Sequence, residues 1–443
     1  MTMTGLAAAE IDRLLLKHPK GFDLALDRIR RLLARLGDPQ HRLPPVLHVA
    51  GTNGKGSVVA FARAILEADG KAVHTHISPH LVDWHERYRL GRVGGGRLVE
   101  DAVLAEAIAR AAKANDDEPI TVFEILTAVT FLLFSEHPAD AALIEVGLGG
   151  RFDATNVIDQ PAACVISTIS LDHQSFLGDR VELIAAEKAG IIKRGVPVVV
   201  GHQSEAIAAD VIRTAAARAK APLSLYGEDF FAFAENGRMV YQDERGLLDL
   251  PMPRLAGRHQ LTNAAVAIAA LRAAGFDPSD AAIAAGIVAA EWPGRLQRLT
   301  AGPLAKAATP GTEIWLDGGH NPGAGLVIAE ALAEMEDRVQ RPLFLIVGMI
   351  NTKDPLGFFA AFLGMVRHVF TVPVSASDAG IDPDILADAA IEAGLDAEPC
   401  DSVEEAIRLV CTNWQSEPAP RFLICGSLYL VGEVLALSGL PPR

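Results

Sequence analysis

The chain has 443 residues, of which 50% are hydrophobic and 21% charged, with a formal net charge of −15. That length exceeds what one hydrophobic core usually serves, so two domains are expected. The negative balance argues against nucleic acid or an anionic membrane as main partner, and anionic small molecules would need local basic residues and metal ions.

The four cysteines, Cys164, Cys400, Cys411 and Cys425, are scattered and form no C-x-x-C pair. They read as reduced core thiols of a cytoplasmic protein. Glu10, Asp12 and Arg13 interrupt the N-terminal segment, which lacks the apolar centre of a signal peptide. The most membrane-like stretch, 125–134, is about half the length that a bilayer requires and reads as a buried helix.

In chain order, residues 11–36 suggest one or two short helices. Residues 46–50 form an apolar run that reads as a buried strand, and 57–68 read as an amphipathic helix. Between them lies Gly51-Thr52-Asn53-Gly54-Lys55-Gly56-Ser57. Strand, glycine-rich loop with lysine, then helix is the layout of a phosphate cradle. Backbone N–H groups would close on phosphate oxygens, Lys55 would reach the outer phosphates, and the Ser57 hydroxyl could meet Mg²⁺. The usual pattern puts Ser or Thr directly after the lysine; here Gly56 intervenes.

A strand at 71–77 leads into Ser78-Pro79-His80, and the glycine-rich 91–96 reads as a hairpin or loop. Helices at 100–114 and 121–135 precede a strand at 141–146 that ends in Gly147-Leu148-Gly149-Gly150. A strand at 162–169 ends at Leu171-Asp172-His173, followed by a helix at 180–189 and a strand at 196–200. Residues 229–250, with Asn236-Gly237, read as a small hairpin insertion. Helices near 260–274 and 279–290 lead to Trp292-Pro293-Gly294-Arg295, a plausible linker.

A second βα series then starts at 313. Its strands end at Asp317-Gly318-Gly319-His320-Asn321-Pro322, at Gly348 and at Gly426-Ser427. The expected fold class is α/β: a P-loop ATPase domain with a mainly parallel sheet over 1–296, and a smaller Rossmann-like α/β domain over 297–443. Such sheets bind ligands at the carboxyl ends of their strands, where Ser78, Glu145 and His173 all fall.

Glu145 ends an almost wholly apolar run, which is how a carboxylate is placed to hold Mg²⁺ beside a phosphate cradle. The same residue could instead cap a helix or pair with Arg151. His173 is a metal or supporting candidate next to Glu145, and Asp172 could orient it or serve a turn. Lys188 is, on spacing alone, a lysine near a helix C-terminus. His74, His76, His80 and His85 cluster, but no cysteine or paired-histidine spacing supports zinc. Asn351-Thr352-Lys353-Asp354 resembles a guanine-reading box only superficially and reads as a loop of the second domain.

Ten segments, taken together, resemble folylpolyglutamate synthase/dihydrofolate synthase of the Mur ligase superfamily. They are GTNGKGS at 51–57, SPHL at 78–81, TVFE at 121–124, EVGLGGRFDATN at 145–156, LDH at 171–173 and EKAGI at 187–191. NAAVA at 263–267, WPGR at 292–295, DGGHNP at 317–322 and CGSLYLVGE at 425–433 complete the series. The extra Gly56 belongs to that family's cradle.

The resemblance implies ATP on Thr52, Asn53, Gly54, Lys55, Gly56 and Ser57, with Asn263, Arg295 and Asp317 at the adenine and ribose. It implies two Mg²⁺ ions, the first at Ser78 and Glu145 with possible help from Ser57, the second involving His173. It further implies that Lys188 is carbamylated, which turns a cation into an anionic oxygen ligand. Pterin and para-aminobenzoate contacts carry over to Thr121, Val122, Phe123, Glu124, Phe152, Asp153 and Ala154, and less directly to residues 23–26. His320 and Ser427 match positions that place the incoming glutamate, and Lys55, Lys188, His173 and His320 carry the catalytic roles.

The implied reaction is ATP-dependent ligation of L-glutamate to dihydropteroate or to folylpolyglutamates through an acyl phosphate. A cytoplasmic monomer is the expectation, with small-molecule partners and neither nucleic acid nor membrane. Only 50 residues precede Gly51, too few for the UDP-binding domain that cell-wall Mur ligases add.

Overall fold

The computed structural model describes residues 5–18, 25–414 and 418–442. Residues 23 and 24 of the expected folate-contacting segment, and the stretch of the early helical region at 19–24, lie outside them.

The larger sheet has eight strands among the described residues, in the order β4-β3-β2-β5-β1-β6-β7-β8. They are β1 (Val46–Ala50), β2 (Val73–His76), β3 (Tyr88–Leu90), β4 (Arg97–Leu98), β5 (Ala141–Glu145), β6 (Ala163–Ile166), β7 (Val198–Val200) and β8 (Leu223–Leu225). β3 alone runs opposite to the others, pairing antiparallel with β2 and β4, and the remaining pairs are parallel. The glycine-rich 91–96 links β3 to β4 as the expected hairpin.

Parallel strands covered on both faces must be apolar throughout, and β1, β5, β6 and β7 are buried at every residue. On one face, Leu47 and Val49 pack with the helices Lys55–Ala68, His259–Ala273 and Asp280–Ala289. On the other, Val46, Ala142 and Ile144 meet the helices Asp101–Asn115 and Val122–Glu136.

Residues 229–250 differ from expectation. They form three antiparallel strands, β9 (Phe231–Glu235), β10 (Arg238–Asp243) and β11 (Gly246–Pro251), not one hairpin. The second turn, at Glu244-Arg245, lacks the Asn-Gly signature that marks the first, so the strand after it was not legible. Tyr241 and Met239 on β10 are fully buried against the larger domain's core and anchor the insertion there.

The second sheet has the order β12-β13-β17-β14-β15-β16 among the described residues. Its strands are β12 (Gln297–Arg298), β13 (Glu313–Leu316), β14 (Leu343–Val347), β15 (Val366–Thr371), β16 (Ala397–Pro399) and β17 (Arg421–Cys425). β12 is antiparallel and the others parallel, with cores on both faces.

β1 lies between β5 and β6; the connection from β1 crosses to β2 on one side, and the connection from β5 crosses to β6 on the other. That reversal opens a crevice at the carboxyl end of β1, where an open α/β sheet takes its ligand. The loops after β1, β5 and β6 therefore converge on one place.

Candidate active site

The loop after β1 holds its shape through glycine and through β6. Gly54 adopts φ 89° as N-cap of the helix Lys55–Ala68, a left-handed conformation that glycine adopts without strain. Gly56 lies under the indole of Trp292, and a Cβ there would fall 2.4 Å from Trp292 Cζ2. This packing accounts for a glycine after the lysine. Thr52 N and Asn53 N both donate to Thr168 O, at 2.9 and 3.1 Å. Thr52 Oγ1 donates to Ser170 O at 3.1 Å.

Two lysines meet at one carbonyl. Lys55 Nζ donates to Gly51 O at 3.1 Å and Thr52 O at 3.3 Å, and lies 3.7 Å from Glu145 Oε1. Lys188 Nζ donates to the same Gly51 O at 2.8 Å. Burial, and then the neighbouring Lys55 ammonium, lower the Lys188 pKa to about 7. Burial raises the Glu145 carboxyl, opposed by Lys55 and Arg295.

Ser78 lies at the end of β2, next to Glu145 at the end of β5. Its Oγ is buried and has no hydrogen-bond partner among the described residues. A buried hydroxyl without a partner is costly unless something else satisfies it. Among the described residues no group of three or more His, Cys, Asp and Glu could hold a metal by itself. A hydroxyl, one carboxylate and phosphate oxygens form the hard-oxygen donor set that Mg²⁺ takes. The residues present therefore fit a divalent cation held jointly with a nucleotide.

The loop after β6 carries Asp172 and His173, and here the second domain arrives. Asp172 Oδ1 accepts from Lys353 Nζ at 2.7 Å, and Asp172 Oδ2 accepts from Asn321 Nδ2 at 3.0 Å. His320 Nε2 stands 3.5 Å from Asp172 Oδ2. Burial pushes the Asp172 carboxyl up, but His320, Lys353 and His173 together hold it far below its ordinary value. Lys353 Nζ also lies 3.4 Å from His173 Nε2. Burial, then Lys353, lower His173 to about 4, so its imidazole is neutral. Asn321 and Asn53 exchange side-chain amide bonds, both 3.2 Å, from opposite domains.

Lys353 and Asn321 were not expected in this role. The segment Asn351-Thr352-Lys353-Asp354 is a loop, but it is not confined to the second domain, since its lysine is buried against Asp172 of the first. Its position just beyond β14 was the available signal. Asp172 makes a local turn by accepting from His173 N at 2.8 Å, yet most of its partners come from the other domain.

Other expected residues take positions around this centre. Asn263 packs its Oδ1 against Gly54 and donates to Gln260 Oε1 at 3.1 Å. Asp317 ends β13 and accepts from Leu296 N at 2.8 Å and Gly319 N at 2.7 Å. Arg295 Nη1 donates to Gly294 O at 2.9 Å. Ser57 is buried in the first turn of the cradle helix.

Thr121 and Glu124 form a capping box at the helix Val122–Glu136, and Glu124 also pairs with Arg28 at 3.1 Å. Phe123 packs on Gly147, Val122 is buried, and Phe152 is half-exposed. Asp153 caps the loop that holds Ala154, accepting from Leu148 N and Thr155 N, each at 2.9 Å. Ser427 caps the helix Leu428–Leu437 by accepting from Tyr429 N at 3.1 Å. Among the described residues no hydrogen bond joins Ser427 to His320.

The clustered histidines are used locally. His74 Nδ1 accepts from Gly91 N at 2.9 Å, His76 meets Thr130 at 2.8 Å, and His80 Nδ1 accepts from Arg87 Nε at 3.0 Å. His85 lies against Asp83 and stands 3.3 Å from Asp101.

Comparison with known proteins matches residues 49–271 to the Mur ligase middle domain and 303–437 to the dihydrofolate synthetase C-terminal domain. The chain is 32% identical over 435 residues to folylpolyglutamate synthase of Lacticaseibacillus casei, covering 92% of each. It is 33% identical to dihydrofolate synthase/folylpolyglutamate synthase of Escherichia coli, covering 94% of this chain and 92% of the relative. The solved Escherichia coli FolC in complex with DHPP and ADP superposes with a TM-score of 0.85 at 31% identity, covering 99% of this chain and 98% of that one. A solved bifunctional folylpolyglutamate synthase/dihydrofolate synthase with Mn, AMPPNP and L-glutamate bound superposes with a TM-score of 0.81 at 30% identity, covering 98% of each chain.

Proposed function

The chain belongs to the folylpolyglutamate synthase/dihydrofolate synthase family, and from that premise we propose a division of labour among its residues. The protein is an ATP-dependent ligase that adds L-glutamate to a pteroyl or folyl carboxylate in folate metabolism. A carboxylate is a poor electrophile, so its oxygen first attacks the γ-phosphorus of ATP, the bond to the β,γ-bridging oxygen breaks, ADP leaves, and an acyl phosphate results. The α-amine of glutamate then attacks that carbonyl, and phosphate leaves.

The observation that carries the assignment of roles is the meeting of Lys55 and Lys188 on Gly51 O, beside Glu145 and a Ser78 Oγ that no described residue partners. Thr52, Asn53, Gly54, Lys55, Gly56 and Ser57 would receive the phosphates, with Lys55 neutralising charge on the transferring group. Asn263, Arg295 and Asp317 would receive the adenosine part. Ser78 and Glu145 would hold one Mg²⁺, and His173 with a carbamylated Lys188 a second. Bound there, the metal supplies Lewis-acid neutralisation of phosphate oxygens.

Lys188 suits carbamylation because its environment favours the free amine, the form that adds to CO₂. A carbamate would also replace repulsion from Lys55 by attraction. Thr121, Val122, Phe123, Glu124, Phe152, Asp153 and Ala154 would bound the pterin pocket. His320 and Ser427, in the 297–443 unit, would place glutamate opposite the acyl phosphate. The contacts of Asp172 with Lys353, His320 and Asn321 would keep the two halves together and exclude water from that intermediate.

Incubation with ATP, Mg²⁺, labelled glutamate and either dihydropteroate or tetrahydrofolate tests the assignment. Label should enter at least one pteroyl product in wild type and almost none in Lys188→Ala. Near-normal incorporation by that variant would remove the carbamate from the mechanism.

A further inference from the structure

His48 is the middle residue of β1, the strand that runs into the phosphate cradle, and it is fully buried. Burial, then Lys193 and His76, lower its pKa to about 3, so the imidazole is neutral. Its Nε2 lies 2.8 Å from Thr155 Oγ1. Thr155 Oγ1 has one proton and donates it to Asp153 Oδ1 at 2.5 Å. The hydroxyl can then only accept from the imidazole. His48 is accordingly the Nε2–H tautomer, and its Nδ1 is left as a buried acceptor with no partner among the described residues.

A leucine at this position would fill similar space without burying an unpaired nitrogen. Stability therefore does not account for the imidazole. What the imidazole does is fix the rotor of the Thr155 hydroxyl, which would otherwise be free to turn from Asp153. One edge of the Asp153 carboxylate is held by backbone, through Leu148 N at 2.9 Å on Oδ2. The other edge takes Thr155 N at 2.9 Å and the hydroxyl whose direction His48 sets.

We infer that His48 is a positioning residue for the folate pocket, acting through Thr155 to orient Asp153. The inference rests on the reading above that Asp153 faces the pterin. It links the strand that carries the ATP cradle to the loop that would carry the other substrate. The chain of donors runs one way, from His48 Nε2–H to Thr155 Oγ1–H to the carboxylate, and no proton need be transferred along it.

The test compares steady-state ligation by His48→Leu, Thr155→Val, His48→Gln and Asp153→Asn, varying in turn the accepted pteroyl substrate, ATP and glutamate. The amide of glutamine can present its N–H where Nε2 stands. His48→Leu and Thr155→Val are each expected to raise KM for the pteroyl substrate about tenfold. Their double variant should add little more, and KM for ATP and ADP binding by calorimetry should be unchanged. His48→Gln should recover most of the pteroyl affinity.

If Asp153→Asn raises that KM while His48→Leu and Thr155→Val leave it within twofold, the relay is overturned. If Asp153→Asn leaves it unchanged as well, the pterin assignment of Asp153 is what fails, and the inference falls with it. A His48→Gln variant as impaired as His48→Leu, with ADP binding lost in both, would make the residue structural only and overturn the role proposed here.

Discussion

Lys353 Nζ of the second domain lies 2.7 Å from Asp172 Oδ1 of the first, with both side chains buried. A buried pair of this kind is costly to break from one side, by about 3–5 kcal/mol, because the remaining charge is stranded. Asp172→Asn or Lys353→Met should therefore loosen the contact between the domains more than it disturbs either core. Ligation is expected to fall by at least about tenfold, with nucleotide binding retained. ADP released per glutamate ligated, measured in the same reaction, should rise as unprotected acyl phosphate hydrolyses. An unchanged ratio would mean that the pair does not hold the closed arrangement.

The pKa of Lys188 sets the sign of a pH effect. The unfolded chain keeps this proton up to the ordinary lysine value of 10.5, the folded protein only to about 7. Between those values the unfolded state binds more protons, so this residue's contribution to stability rises with pH and is least below about pH 7. The same titration would govern formation of the proposed carbamate, which needs the free amine. Protein equilibrated with ¹³C-bicarbonate should show a carbamate resonance that grows from pH 6 to pH 8 and is missing in Lys188→Ala.

Ser78→Ala removes a buried hydroxyl that has no partner among the described residues. Such a deletion should leave the metal-free fold unchanged, or stabilise it by up to about 1 kcal/mol. In the presence of nucleotide it should weaken Mn²⁺ binding, read by electron paramagnetic resonance. A drop in Tm without any change in metal affinity would count against Ser78 as a ligand.

Gly56→Ala would place a methyl group 2.4 Å from the Trp292 ring. Relieving that overlap means moving the indole or the first turn of the cradle helix, at about 1–3 kcal/mol. Binding of AMPPNP should weaken by about tenfold or more in calorimetry, and Trp292→Ala in the same chain should restore part of it. If the single variant binds normally, the indole is not what sets the loop's path.

Much of the fold was legible because the relevant physics is local. The apolar runs of β1, β5 and β6, each followed by glycine or polar residues, show buried parallel strands and where their carboxyl ends lie. The positions of Glu145 and of the glycine-rich loop at strand ends were readable for that reason. The middle strand of the 229–250 insertion was partly readable, but β11 was not, because its turn carries no Asn-Gly pair.

By itself the sequence determined the two α/β units, the glycine-rich loop between strand and helix, and the family resemblance, since these depend on hydrophobic period and on motifs a few residues long. Tertiary structure alone decided that Lys353 reaches Asp172 across 181 residues of chain, and that Trp292 covers Gly56. It also decided that His48 orders Thr155 from 107 residues away. Such contacts depend on which strand ends the crossovers bring side by side, here the divergence of connections around β1, and no local spacing encodes that adjacency.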